Sequence, residues 1–266
     1  MNFRYIFGAI VTAPLLPLMY FQGKKIKKSV PVLPEATGIE GVCKGGDKGD
    51  LNIIFIGEST IAGVGVATHE EGLAGTFAAS LATETDRNVY WKVYAKNGYT
   101  AKKMAYKIVP KITENKLDLI VIGVGGNDAF TLNTPKKWRA DVSNLISVLK
   151  EKFEETPIFF LNMPPIKEFP AFTPLIKFSI GNLVEIFGEE LQKIIPKFTN
   201  VYFNAQVITL DFWIKKLSNK NGNADFFSDG VHPSKLTYQT WAKDAVEFLL
   251  ENEQIYKKNK YSKATS

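Results

Sequence analysis

The sequence predicts an α/β fold, a three-layer αβα sandwich built on a parallel sheet of about five strands. Three observations carry the prediction. Short apolar runs of buried-strand type recur along the chain, and segments with helical spacing of apolar residues lie between them. Most of the runs also end in small or polar residues. Strands that alternate with helices pair in parallel, with both faces of the sheet covered.

The first strand runs from Leu51 to Ile56, interrupted only by Asn52. Leu73, Phe77, Ala78 and Leu81 follow at helical spacing. Val89 to Ala95 is the second strand, and Ala101 to Val109 forms the helix behind it, closed by Pro110. Leu119 to Val124 has no polar side chain and reads as a third strand. Val142, Leu145, Ile146, Leu149 and Phe153 make one helix face. Pro157 to Leu161 is the fourth strand, Leu175 to Ile195 a long helix, and Val201 to Asn204 a fifth strand. A last helix spans about Leu236 to Leu250.

Ahead of this unit, 17 residues from Tyr5 to Phe21 carry no charge. That is the short limit for a membrane span and long for a signal-peptide core. No small-x-small cleavage site lies near Tyr20 to Gly23, which favours an uncleaved anchor over a removed signal. A buried N-terminal helix of the domain is the rival. Residues 29–50 hold two Pro and five Gly, as a linker or irregular strap would. The divisions expected are therefore an anchor with its basic flank over 1–28, a linker over 29–50, a domain over 51–250 and a polar tail over 251–266.

The net charge of +6 is confined to the flanks. Four Lys lie at 24, 25, 27 and 28, and four more at 257, 258, 260 and 263. Without those eight, 25 basic side chains face 27 acidic ones. A nearly neutral body with only Arg4, Arg87 and Arg139 is no nucleic-acid binder. Lys24 to Lys28 outweigh Arg4 and the α-amine, so the positive-inside rule favours a cytoplasmic domain and leaves the extracytoplasmic side open. One Cys and two His rule out a disulfide framework and an ordinary structural zinc site. A carboxylate-held metal stays open on counts alone.

In open parallel sheets, ligands bind beyond the carboxyl ends of the strands. The segments that fall there are Gly57-Glu58-Ser59-Thr60-Ile61-Ala62-Gly63, Asn97-Gly98-Tyr99-Thr100, Gly125-Gly126-Asn127-Asp128 and, before the last helix, Asp229-Gly230-Val231-His232-Pro233-Ser234. Ser59 follows a buried strand and a turn-forming Gly, a place suited to a nucleophile that needs a base. Only His69 and His232 offer an imidazole. His69 reads as a solvated residue in the polar first turn of a helix. His232 lies three residues after Asp229, a spacing that lets a turn bring the carboxylate to one ring nitrogen and leaves the other for Ser59. Alone, Asp229 and His232 would read as a turn residue and the neighbour of a helix cap. An oxyanion hole would draw on the Ser59 and Gly98 backbone N–H groups and the Asn127 amide.

Together and in this order, the four segments resemble the SGNH (GDSL) hydrolase family over residues 51–250. Gly57-Glu58-Ser59 with Gly63, Gly98, Gly125-x-Asn127-Asp128 and Asp229-x-x-His232 match its four blocks. The resemblance implies a flavodoxin-like sheet, a triad of Ser59, His232 and Asp229, and oxyanion donors from Ser59, Gly98 and Asn127. It implies no metal or organic cofactor. Glu58 departs from the family, which usually has Asp there.

The activity expected is hydrolysis of a small-molecule or lipid-derived ester by a membrane-attached serine hydrolase. Two alternatives are an acyltransferase using the same triad and a membrane-tethered binding protein without turnover. The Pro- and Phe-rich segment from Met163 to Pro174 either walls an apolar acyl pocket or simply connects strand to helix. Oligomeric state is not legible.

Overall fold

A computed structural model of the protein describes residues 3–217 and 223–252. Six strands form one sheet in the order β1-β3-β2-β4-β5-β6, with β1 spanning Glu40–Cys43, β2 Asp50–Gly57, β3 Asn88–Ala95, β4 Leu119–Gly123, β5 Ile158–Phe160 and β6 Val201–Phe203. The five strands from β2 onward pair in parallel. Their order is the flavodoxin-like one, and it reverses between β2 and β4.

The helices in chain order are α1 (Phe3–Thr12), α2 (Leu16–Ser29), α3 (Leu73–Thr85), α4 (Ala101–Lys107), α5 (Gly126–Phe130) and α6 (Pro135–Lys152). They continue as α7 (Pro174–Ile176), α8 (Asn182–Ile194), α9 (Leu210–Lys216) and α10 (Lys235–Glu251). Helices α3 and α10 pack together as one layer, and α4, α6 and α8 form the other. Phe55 of β2 meets Phe77 of α3 edge to face, and Phe159 of β5 stacks on Phe248 of α10. Across the sheet, Trp138 of α6 stacks on Phe187 of α8 and donates its indole N–H to the Phe187 carbonyl. β4 and β5 are buried at every residue, which is why they read from the sequence as unbroken apolar runs.

The sheet has one strand more than the sequence reading, and it comes from the expected linker. β1 pairs antiparallel with β3 and places Gly41 opposite Trp91. A Cβ on Gly41 would lie 2.6 Å from the indole, so glycine here lets the buried Trp91 ring pack across the strand. The same strap is bonded to the loop after β2: Ala36 N donates to Ala62 O, Thr37 N to Ala67 O and His69 N to Thr37 O. The predicted Leu175–Ile195 helix is α7 and α8 joined by a π-helical turn over Lys177–Gly181. Its long amphipathic face kept the periodicity legible across that turn. The tail over 251–266, with its four lysines, lies outside the described residues from 253 onward.

The N-terminal segment is helical from Phe3 to Ser29, with a 3-10 turn at Ala13–Leu15. It is long and apolar enough to cross a membrane. It lies along the domain and contributes only Met19 to the buried core.

Candidate active site

The residues singled out from the sequence sit at the carboxyl ends of the parallel strands, around the reversal point. Ser59 begins a run of tight turns directly after β2, in which Ala62 N bonds Glu58 O and Val64 N bonds Ser59 O. No helix follows immediately; α3 starts only at Leu73. Gly98 tops the turn after β3, where Tyr99 N bonds Lys96 O. Its φ of +79° is a conformation that favours glycine. Asn127 stands in the first turn of α5, beyond β4. Its side-chain amide donates to Tyr99 O at 3.2 Å, which draws the Gly98 turn and α5 together. Neither the Ser59 nor the Gly98 backbone N–H donates a hydrogen bond among the described residues.

Asp229 and His232 share a narrow loop closed by Ser228 N to His232 O. The Asp229 side chain is fully buried and accepts three hydrogen bonds. One oxygen takes Val231 N at 2.9 Å and His232 N at 2.7 Å, and the other meets His232 Nδ1 at 2.7 Å. Burial alone would raise its pKa, but the His232 backbone N–H, the His232 ring and the Val231 N–H outweigh it. The carboxyl is held below its ordinary 3.8. An ionised acceptor there fixes the proton on Nδ1 and leaves Nε2 as the basic nitrogen. This loop docks on the turns that follow Ser59. The Ser228 hydroxyl lies 3.0 Å from Gly65 O, and the buried Tyr238 hydroxyl donates to Val64 O at 2.7 Å. No hydrogen bond joins Ser59 to His232 among the described residues.

Two buried carboxyls, both within the segments singled out from the sequence, brace the Gly98 and Asn127 turns. Glu58 places one oxygen 2.8 Å from Gly126 N and the other 2.8 Å from Asn127 N, so it clamps the backbone that carries Asn127. Burial lifts its pKa from 4.5 to about 7, against the pull of those two N–H groups, and the nearby Asp128 adds to the rise. Asp128 is raised to about 6 by burial, although it accepts from Ala101 N and the Asn133 amide. Its bond to Ala101 ties α5 to the start of α4. The sequence signal for Glu58 was its departure from the family Asp. Asp128 gave none beyond its place in the Gly-x-Asn-Asp block.

His69 corrects the sequence reading. It is buried, 3% exposed, because the Thr37 strap and Gly63 cover it. Desolvation lowers its pKa, with Glu35 opposing. The segment after β5 runs beside the Asp229 loop, with Ala171 N bonded to Gly230 O at 3.1 Å. A continuous row of rings joins Phe130 of α5 to Phe172, Phe169 and Phe227, with centroids 5.3–5.5 Å apart.

The family described as GDSL-like lipase/acylhydrolase matches residues 53–245. No curated protein matches the chain. Several solved structures share the fold. A putative GDSL-like lipase from Parabacteroides merdae aligns with a TM-score of 0.55 at 19% identity, covering 77% of this chain and 97% of its own. A lipase/acylhydrolase from Enterococcus faecalis gives 0.51 at 21% identity, covering 75% and 95%. The psychrotrophic esterase EstA from a Pseudoalteromonas species, inhibited by monoethylphosphonate, gives 0.53 at 16% identity, covering 77% and 99%.

Proposed function

This chain belongs to the GDSL-like lipase/acylhydrolase family, a family of ester-hydrolysing enzymes, and from that premise we propose that it cleaves acyl esters through an acyl-enzyme on Ser59. Ser59 Oγ attacks the ester carbonyl carbon while its proton passes to His232 Nε2. Asp229 holds Nδ1–H and balances the charge of the imidazolium. The carbonyl oxygen, now an oxyanion, takes hydrogen bonds from the Ser59 N–H, the Gly98 N–H and the Asn127 amide. Collapse of the intermediate breaks the bond to the alcohol, which leaves with the proton from Nε2. Water then repeats the sequence on the acyl-enzyme and releases the acid.

The observation that carries this reading is the Asp229–His232 pair at 2.7 Å, on a loop bonded to the turns that start at Ser59. The two unbonded N–H groups at Ser59 and Gly98 support the oxyanion role. The aromatic row beside the Asp229 loop favours an ester with an apolar acyl group, small-molecule or lipid-derived. The N-terminal segment attaches the protein to a membrane, and Lys24, Lys25, Lys27 and Lys28 favour the anionic cytoplasmic leaflet.

Ser59→Ala and His232→Ala should each abolish hydrolysis of short p-nitrophenyl esters without altering the fold, and a fluorophosphonate should label Ser59 in the unaltered protein. Near-normal turnover by Ser59→Ala would rule the mechanism out. Acylated acceptor in place of released acid would mark a transferase. A folded protein that never labels would be a binder.

A further inference from the structure

The N-terminal helices have two faces that differ in what they touch. Tyr5, Gly8, Thr12, Leu15, Met19, Gln22 and Ile26 follow one another at alternating spacings of three and four and are partly or fully covered by the domain. That face carries specific polar contacts. Arg4 pairs with Glu185, at 3.1 Å, and with Glu189, both on α8. Thr12 Oγ1 lies 3.2 Å from Ser179 Oγ, and the Thr173 hydroxyl donates to Gln22 at 2.7 Å.

The opposite face is an apolar ridge turned away from the domain. Phe3, Phe7, Ile10, Leu18 and Phe21 recur along it and are 50–83% exposed. The ridge ends in the exposed lysines 24, 25, 27 and 28. Apolar surface continues from the helix onto the domain. Leu132 and Phe178, both exposed, line with Tyr5, Ala9 and Leu16 a groove of about 200 Å³ between the two. Leu132 is held at φ +53°, a conformation rare for a branched side chain, and still points an apolar group outward.

We propose that this helix is an in-plane anchor: it lies in the surface of an anionic lipid bilayer with its outer ridge among the acyl chains, while its inner face stays docked on the hydrolase domain. The inference rests on membrane attachment through the same segment and settles its geometry. A run of 27 residues is about 40 Å long, against about 30 Å for the hydrocarbon layer. Were it to cross, Arg4 would emerge on the far side, beyond reach of Glu185 and Glu189. The Thr12–Ser179 and Gln22–Thr173 contacts would break with it. Docked and spanning states therefore exclude each other, and the polar contacts belong to the docked one. An apolar ridge with a basic end is the pattern of interfacial helices, whose binding adds acyl contact to attraction for anionic headgroups.

Docking also sets where the active site lies. Thr173 and Ser179, which hold the helix, belong to the segment whose Ala171 is bonded to Gly230 of the Asp229 loop. The bilayer surface would thus run beside the aromatic row, and an acyl chain leaving the membrane would meet Phe130 and Phe172 first.

A nitroxide scan of the full chain tests this. With Cys43 replaced by Ser, single cysteines at Phe7, Ile10, Thr12, Leu18 and Phe21 are spin-labelled and bound to phosphatidylglycerol-containing vesicles. Depth from oxygen accessibility should oscillate with the helical repeat, with Phe7, Ile10, Leu18 and Phe21 equally shallow and Thr12 excluded from lipid. A single depth maximum near Thr12, falling off toward Phe7 and Phe21, overturns the in-plane geometry and leaves membrane attachment standing. Absence of vesicle binding overturns both. Dipolar broadening between ridge labels without vesicles assigns the ridge to a second copy and also overturns the proposal.

Discussion

Replacing Glu58 by Gln isolates the titration of one buried carboxyl beneath the site. Its pKa is lifted from 4.5 to about 7 by burial, so between those values the folded protein holds a proton that the unfolded chain has released. A carboxyl raised in this way contributes stability that is complete below the ordinary value and is lost as pH climbs through about 7. At 1.36 kcal/mol per tenfold, the whole loss is about 3 kcal/mol, of which about 2 kcal/mol falls between about pH 5.5 and about pH 8. Glu58→Gln keeps the shape, retains an oxygen for one of the two N–H groups, and cannot titrate. Asp128, raised to about 6, titrates in both proteins, so it largely cancels when the curves are subtracted. Urea unfolding of both proteins across that range should show the unaltered one losing about 2 kcal/mol more than the variant. Parallel curves would mean that Glu58 does not titrate as a buried acid, and the reasoning from its burial would fail.

Asp229→Asn presents an amide N–H to His232 Nδ1 and forces the proton to Nε2; kcat for p-nitrophenyl esters should drop by about 10²–10⁴, and a loss under tenfold would contradict the role assigned to the pair. Gly98→Ala meets open space but not the required φ of +79°, so unfolding should cost about 1 kcal/mol less and kcat should fall as the N–H turns away. Unchanged kcat would refute the proposed place of Gly98 in an oxyanion hole. Phe172→Ala interrupts the aromatic row and should lower kcat/KM for octanoyl esters about tenfold relative to acetyl esters, a difference of about 1.4 kcal/mol. An unchanged ratio would place the acyl chain elsewhere.

The parts of the fold most legible in the sequence are those fixed by burial on both sides. The runs at 119–123 and 158–160 are buried throughout, and no polar side chain obscures them. The Asp229–His232 pair was legible for another reason: three residues and a turn set its geometry, with little help from the rest of the molecule. What stayed hidden depends on contacts remote in the chain. β1 was masked by its glycine, whose reason for being there is Trp91, fifty residues on. His69 looked exposed because nothing local shows that Thr37 and Gly63 close over it. Glu58 meets backbone N–H groups 68 and 69 residues away, a partnership that no spacing rule anticipates.

The strap between Ser29 and β1 bears on how far the chain can be shortened. A truncation at Leu51 would follow the onset of the apolar runs, yet it would remove both β1 and the Ala36 and Thr37 bonds. β3 would be left with a bare row of backbone donors and acceptors, a template for pairing with other chains. The turns after Ser59 would lose the bond from Ala36 that backs them. A truncation at Val30 discards the apolar helix and keeps both. The two shortened chains would thus differ in aggregation and in turnover, although neither retains the N-terminal apolar helix and both contain every residue of the proposed triad.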